Sequence, residues 1–161
     1  MNPAPLKIAS RAEFERMDIE DFPFAISIRE YDATEFARPG YAGGRLTLSF
    51  WDLTGGPGIA TVEDIDAVYD FSKAWASAAH ADTRNGLVVH CFAGISRSSA
   101  VSLVPLILYY QNVKLAAKRL FEVNRRAIPN THVMNLIDDK FHLKGDLFRA
   151  VYDAERGMIW Q

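Results

Sequence analysis

The 161-residue chain contains one cysteine, Cys91. A lone cysteine excludes an intramolecular disulfide and a thiolate cluster for zinc, and makes a reducing, cytoplasmic setting the simplest expectation. Long hydrophobic runs are also missing. The longest, 100–110, is about half the ~20 residues of a membrane-spanning helix, so no membrane partner is expected. The opening stretch, MNPAPLKIAS, has no extended apolar core, and no secretory leader is expected from it. An excess of positive charge is absent too. Eighteen basic residues face twenty acidic ones, a net charge of -2, which argues against a nucleic-acid partner held through its phosphate backbone. No repeat, low-complexity tract or charge block interrupts the chain. His80, His132 and His142 lack metal-ligand spacing with carboxylates, so no metal and no cofactor are expected.

What is there is the balance of an ordinary globular domain, 49% apolar and 24% charged. A chain of this length buries roughly two thirds of the surface it exposes when unfolded, enough for one self-sufficient core. The expectation is a single domain over 1–161 with 1–9 as a loose N-terminal arm. Ser10 and Glu13 form a capping-box pattern that predicts a helix over 11–17. Apolar, partly alternating residues predict strands over 24–29 and 46–51, joined by a glycine- and proline-bearing loop, 31–44. The second strand ends at Asp52, ahead of a Gly/Pro-rich stretch, 54–58. Thr61 and Asp64 repeat the capping-box pattern before a helix over 62–79, in which Ile65, Val68, Tyr69, Phe71 and Trp75 recur at roughly helical spacing. Asn85-Gly86 marks a turn into a short β-branched strand of the buried kind, 87–90. A buried helix follows over 97–111, with Pro105 expected to kink it or remove one hydrogen bond. Further helices are predicted over 113–126, over 132–143 with Asn130 or Thr131 as its cap, and over 146–155. Trp51, Trp75 and Trp160 read as packing residues. Alternating strands and helices give an α/β class: a small, mainly parallel central sheet flanked by helices. In such sheets ligands bind beyond the carboxyl ends of the strands. Cys91 stands at that end of strand 87–90. Strand 46–51 is expected to lie beside it, so that Asp52 opens onto the same crevice.

The segment after that strand carries the chemistry. Cys91-Phe92-Ala93-Gly94-Ile95-Ser96 is a short loop that runs straight into the helix beginning at Arg97. A helix N-terminus offers unpaired N–H groups and partial positive charge, and so attracts anions. With Gly94 at its centre the loop can curl until the amides of Phe92, Ala93, Gly94, Ile95 and Ser96 converge on one point. Arg97 adds a planar fork for two oxygens of a tetrahedral oxyanion. The same field favours the thiolate of Cys91, which is the nucleophilic form. Ser98 is near enough in sequence to hydrogen-bond that sulfur. A buried structural cysteine would not need Gly94 and Arg97 at these offsets. His90 reads as a strand residue that shapes the loop, not as a proton carrier.

His90-Cys91, five residues, then Arg97-Ser98 after an apolar strand resembles the signature of the cysteine-based protein tyrosine phosphatases. Arg126 followed by Pro129-Asn130, with the small size, is similar to the dual-specificity-like branch. That branch usually carries Gln-Leu shortly after the Pro-Asn, where this chain has Asn135-Leu136. The resemblance spans roughly 24–143. It implies a phosphatase of two steps: Cys91 attacks phosphorus to form a phosphocysteine, and water hydrolyses it. Arg97 and the loop amides stabilise the equatorial oxygens, and no metal takes part. It also implies a general acid, an Asp on a separate earlier loop. Asp52 matches best. Asp64 and Asp66 are rivals, but they fall early in a predicted helix, where acids serve caps and the helix dipole. Asn135 is a candidate for orienting water. The implied partner is a phosphorylated protein or peptide, because Phe92, Ala93 and Ile95 carry no charge to meet a polyanion. A non-protein phosphate (phosphoinositide, nucleotide or RNA 5′ phosphate) and a phospho-binding module without turnover stay open. A rhodanese-type sulfurtransferase is disfavoured by Arg97-Ser98 and the later Pro-Asn.

Overall fold

The computed structural model describes residues 1–31 and 44–159. Most of the expected loop 31–44, and Trp160, lie outside the described residues. The elements are β1 (Leu6–Ser10), α1 (Arg11–Arg16), β2 (Phe24–Arg29), β3 (Gly44–Ser49), α2 (Val62–Ala81), β4 (Leu87–Cys91), α3 (Arg97–Tyr110), α4 (Val113–Val123), α5 (Thr131–Lys140) and α6 (Asp146–Ile159). The strands form one sheet in the order β1-β4-β2-β3, and each adjacent pair is parallel. The α/β class, with a small parallel sheet flanked by helices, is what the structure shows.

β4 lies inside the sheet and every one of its residues is buried. Strands covered on both faces read as unbroken apolar runs, which is why Leu87-Val88-Val89 was legible without alternation. α3 follows directly and packs on α2, α4 and α5. It is buried over almost its whole circumference. Pro105 does not break it; the helix continues to Tyr110 without the bond residue 105 would have given the carbonyl one turn earlier. Both capping boxes close, Ser10 with Glu13 and Thr61 with Asp64. α4 stops three residues short of the expected 126, because Asn124 turns to an extended conformation at φ -147, ψ 91.

Two expectations are corrected here. The arm 1–9 is not loose. Leu6–Ser10 forms β1, with Ile8 opposite Val89 and Ser10 opposite Cys91. Ala4, Leu6, Ile8 and Ala9 are buried. The preceding residues are tied down as well: Ala4 N–H donates to Tyr110 Oη at 2.9 Å, Arg119 donates to the Ala4 carbonyl at 3.1 Å, and Tyr109 Oη donates to the Asn2 carbonyl at 3.0 Å. Five residues interrupted by Lys7 carry little local pattern, and their partner strand is far away in the chain. The second correction concerns β3, which pairs with β2 and not with β4. It also ends at Ser49, so Asp52 stands on the connection beyond the strand. Because all the pairs are parallel, the carboxyl ends of β2, β3 and β4 still open along one edge, which brings Asp52 to the crevice from one strand further away.

Candidate active site

Cys91 closes β4, and its side chain is buried at the floor of the loop that follows. Four carbonyls of the loop are taken by donors outside it. Phe92 O accepts from Arg11 N–H at 3.1 Å, Ile95 O from Ile128 N–H at 3.0 Å and Ser96 O from Asn130 N–H at 3.2 Å. Gly94 O accepts from Asn124 Nδ2 at 2.9 Å, and the same amide reaches Ser99 Oγ at 3.1 Å. In a trans peptide the N–H of the next residue points opposite to the carbonyl. Outward carbonyls at Phe92, Gly94, Ile95 and Ser96 therefore turn the N–H groups of Ala93, Ile95, Ser96 and Arg97 inward. Gly94 holds φ +71, and a Cβ there would stand 2.7 Å from Ser10 N and 2.8 Å from Ala9 C. The end of β1 is thus the surface on which the loop rests, and only glycine fits between them.

The sulfur of Cys91 lies 3.2 Å from Ser98 Oγ and accepts from Gly94 N–H at 3.3 Å. The thiol donates to the Ser98 hydroxyl, and the Gly94 amide meets the sulfur from the loop. Arg97 is 5% exposed although it is a cation. Its Nη1 donates to the Phe50 carbonyl at 3.0 Å, and its Nη2 pairs with Glu30 at 2.9 Å. Its Nε is buried and has no hydrogen-bond partner. A buried donor left unpaired costs about 1–3 kcal/mol, an arrangement suited to an acceptor that arrives from outside.

Asp52 is exposed on the connection after β3, and it is held in place. Its Oδ1 accepts from Ser96 Oγ at 2.8 Å and from Asn130 Nδ2 at 2.9 Å. Asn130 Nδ2 also donates to Leu53 O at 3.2 Å, while Asn130 Oδ1 caps α5 by accepting from Val133 N–H. The connection closes on itself through Trp51 N–H to Gly58 O at 2.7 Å. Gly58 has φ +78 and lies against the Trp51 and Tyr31 rings. His132 Nε2 donates to Ala60 O at 2.7 Å and fixes its far end. The rival acids are engaged elsewhere: Asp64 in the Thr61 capping box, Asp66 with Lys140 at 2.8 Å.

His90 is buried beneath the loop. Its Nε2 lies 2.7 Å from Ser27 Oγ, its ring stacks on Phe14 at 3.8 Å between centroids, and Arg45 Nε donates to the same serine. Phe92 turns its ring outward and is 67% exposed. Asn135 is exposed in the second turn of α5, and no hydrogen bond ties it to the loop. Sequence reasoning did not find Glu30, Asn124 or the amide of Asn130. Glu30 had a faint signal, an acid just past the end of a strand in a parallel sheet. Among the described residues no group of three His, Cys, Asp or Glu side chains could hold a metal ion. No helix among them is long and apolar enough to cross a membrane.

No family model matches the chain, and no curated protein matches it. Solved structures do. The human tyrosine phosphatase-like serine/threonine/tyrosine-interacting protein superposes with a TM-score of 0.60 at 17% identity, covering 87% of this chain and 93% of that one. Human DUSP28 gives 0.60 at 16%, covering 86% and 93%. PTPMT1 in complex with PI(5)P gives 0.56 at 18%, covering 83% and 85%. The chain has the fold of the dual-specificity branch of the cysteine-based phosphatases.

Proposed function

We propose that the protein is a cysteine-dependent phosphatase that hydrolyses phosphomonoesters, foremost phosphotyrosine or other phosphorylated proteins, through a phosphocysteine. The observation that carries this reading is the placement of Cys91 Sγ beneath inward-facing amides, beside an Arg97 whose buried Nε lacks an acceptor. A phosphoryl group seated there supplies that acceptor and meets the N–H groups of α3's first turn.

In the first step the thiolate of Cys91 forms a bond to phosphorus while the bond to the leaving oxygen breaks. Asp52 gives its proton to that oxygen. In the second step water attacks phosphorus, the carboxylate of Asp52 takes a proton from it, and the phosphorus–sulfur bond breaks. The departing thiolate is met again by Ser98 Oγ and Gly94 N–H. Arg97 and the loop amides hold the three equatorial oxygens in both steps, so the protein positions groups and neutralises charge.

Phe92, Ala93 and Ile95 bring no cation to the mouth, and Glu30 and Asp52 stand beside it, which suits one phosphoryl group better than several. A phosphoinositide remains the second reading, because PTPMT1 shares the fold and was solved with PI(5)P. A reducing, cytoplasmic compartment suits a reaction that needs Cys91 as a free thiol. The test is turnover on phosphopeptides, phosphoinositides, nucleotides and 5′-phosphorylated RNA, with Cys91→Ser as control. Activity lost with Cys91→Ser supports the proposal, and preference for phosphopeptides supports the substrate class. Phosphate or vanadate binding without turnover by the wild type would make the protein a binding module.

A further inference from the structure

Large apolar side chains scattered singly over a surface need no explanation, but gathered around one opening they mark a contact surface. Eight such side chains stay exposed among the described residues. Four of them stand around the loop that follows β4. Phe92 comes directly after Cys91 and is 67% exposed. Ile128 is 71% exposed, and its N–H is bonded to the Ile95 carbonyl at 3.0 Å. Phe92 and Ile95 are three residues apart, at most about 11 Å of chain, so Phe92 and Ile128 flank one short opening. Tyr31 follows Glu30, the ion-pair partner of Arg97, and its ring covers Gly58. Leu53 follows Asp52, and both it and Tyr31 are more than half exposed. The other four exposed side chains are scattered over the chain start, α2, α4 and α6.

We infer that Tyr31, Leu53, Phe92 and Ile128 form an apolar collar that selects substrates in which bulky apolar residues adjoin the phosphorylated one. The inference rests on the phosphoprotein reading above and deepens it by naming the sequence context of the substrate. A phosphoryl group seated on the loop amides brings the residues before and after it against the collar. Apolar neighbours remove their own surface and that of the collar from water. An acidic neighbour would instead leave water beside apolar side chains, with the carboxylates of Glu30 and Asp52 close by and no cation in the collar to meet it. Arg125 and Arg126 are exposed on the stretch leading from α4 to Ile128. They attract acids beyond the collar, not within it.

The test compares kcat/KM on two synthetic phosphotyrosine peptides of equal length. One carries leucine at both positions adjoining the phosphotyrosine, the other glutamate. The wild type should favour the leucine peptide by roughly tenfold or more, the weight of one or two apolar side chains partly removed from water. Ile128→Ala and Phe92→Ala should each cut that preference roughly three- to tenfold. Leu115→Ala, which removes an exposed leucine on α4, should leave it unchanged. The readout is a ratio within each variant, so a general loss of activity cancels. A wild-type ratio of one, a preference for glutamate, or a ratio that Ile128→Ala and Phe92→Ala leave unmoved would overturn the inference. Turnover of an aryl phosphate with none of either peptide would overturn it as well. Should the wild type prove inactive on every phosphate, the aryl one included, the phosphatase reading fails by itself. The collar is then read from binding of the same two peptides: tighter binding of the leucine peptide, weakened by Ile128→Ala, upholds it, and equal binding overturns it.

Discussion

The loop 91–96 and the connection 51–58 meet at the hydrogen bond from Ser96 to Asp52 and are built in opposite ways. The first is held by backbone. Its carbonyls are bonded to Arg11, Ile128 and Asn130 main-chain N–H groups and to the Asn124 amide, and Gly94 is wedged against β1. The second is mostly exposed and held by few bonds, those from Ser96 and Asn130 to Asp52 and the Trp51–Gly58 closure chief among them. The difference matches the two tasks that the proposed function gives them. A site for a tetrahedral anion must be preorganised before the substrate arrives. An acid must reach a leaving group whose shape varies, and a lightly held segment lets it do so.

Removing the support of the rigid region should have the largest effect. Deleting residues 1–10 removes β1 and the surface under Gly94. No cooperatively folded protein is expected, as read by circular dichroism and thermal melting; a well-folded truncation would show that β1 is dispensable. Arg97→Lys comes next. An ammonium cannot serve Glu30, Phe50 O and two phosphoryl oxygens at once. Turnover and vanadate affinity should fall together, by roughly 10²–10⁴-fold for two charge-assisted bonds, and by the same factor on every substrate.

The acid's connection should respond differently. Asp52→Asn should cost roughly 10²–10⁴-fold on phosphotyrosine or alkyl phosphates, and far less on an aryl phosphate with an acidic phenol. A general acid works only while protonated, so the limb on which the rate falls as pH rises should vanish in this variant. Losses independent of the leaving group would make Asp52 structural. Two alanine substitutions give the smallest effects and the sharpest contrast. Gly94→Ala forces a Cβ into Ser10 and Ala9 and should destabilise by about 1–3 kcal/mol. Gly55 has open space around it and no left-handed φ, so Gly55→Ala should stay within about 0.5 kcal/mol of wild type. Matched denaturant titrations check the pair.

The same division decides what was legible in the sequence. The residues from Leu87 to Ser98 speak locally: a β-branched run, a loop glycine, an arginine at a fixed offset, a helix start. Their physical causes lie within a dozen neighbours, so pattern alone places them. β1 was missed because its partner strand is distant and Lys7 breaks its apolar run. The position of β3 was misread because adjacency in the chain does not fix order in a parallel sheet. Asn130 was half legible. Its cap on α5 is local chemistry, while its bond to Asp52 depends on tertiary structure. Glu30 and Asn124 act only through residues far from them, Arg97 and Gly94, and nothing in their own neighbourhood announces it.

The central claim is that Cys91 bonds to phosphorus during turnover. The direct measurement is rapid acid quench of the working protein on an aryl phosphate, followed by mass spectrometry of the peptide spanning 87–97. One phosphoryl group on Cys91 within the first turnover, absent from Cys91→Ser, is the predicted result. Turnover at full rate with Cys91 unmodified, or persisting in Cys91→Ser, would contradict it.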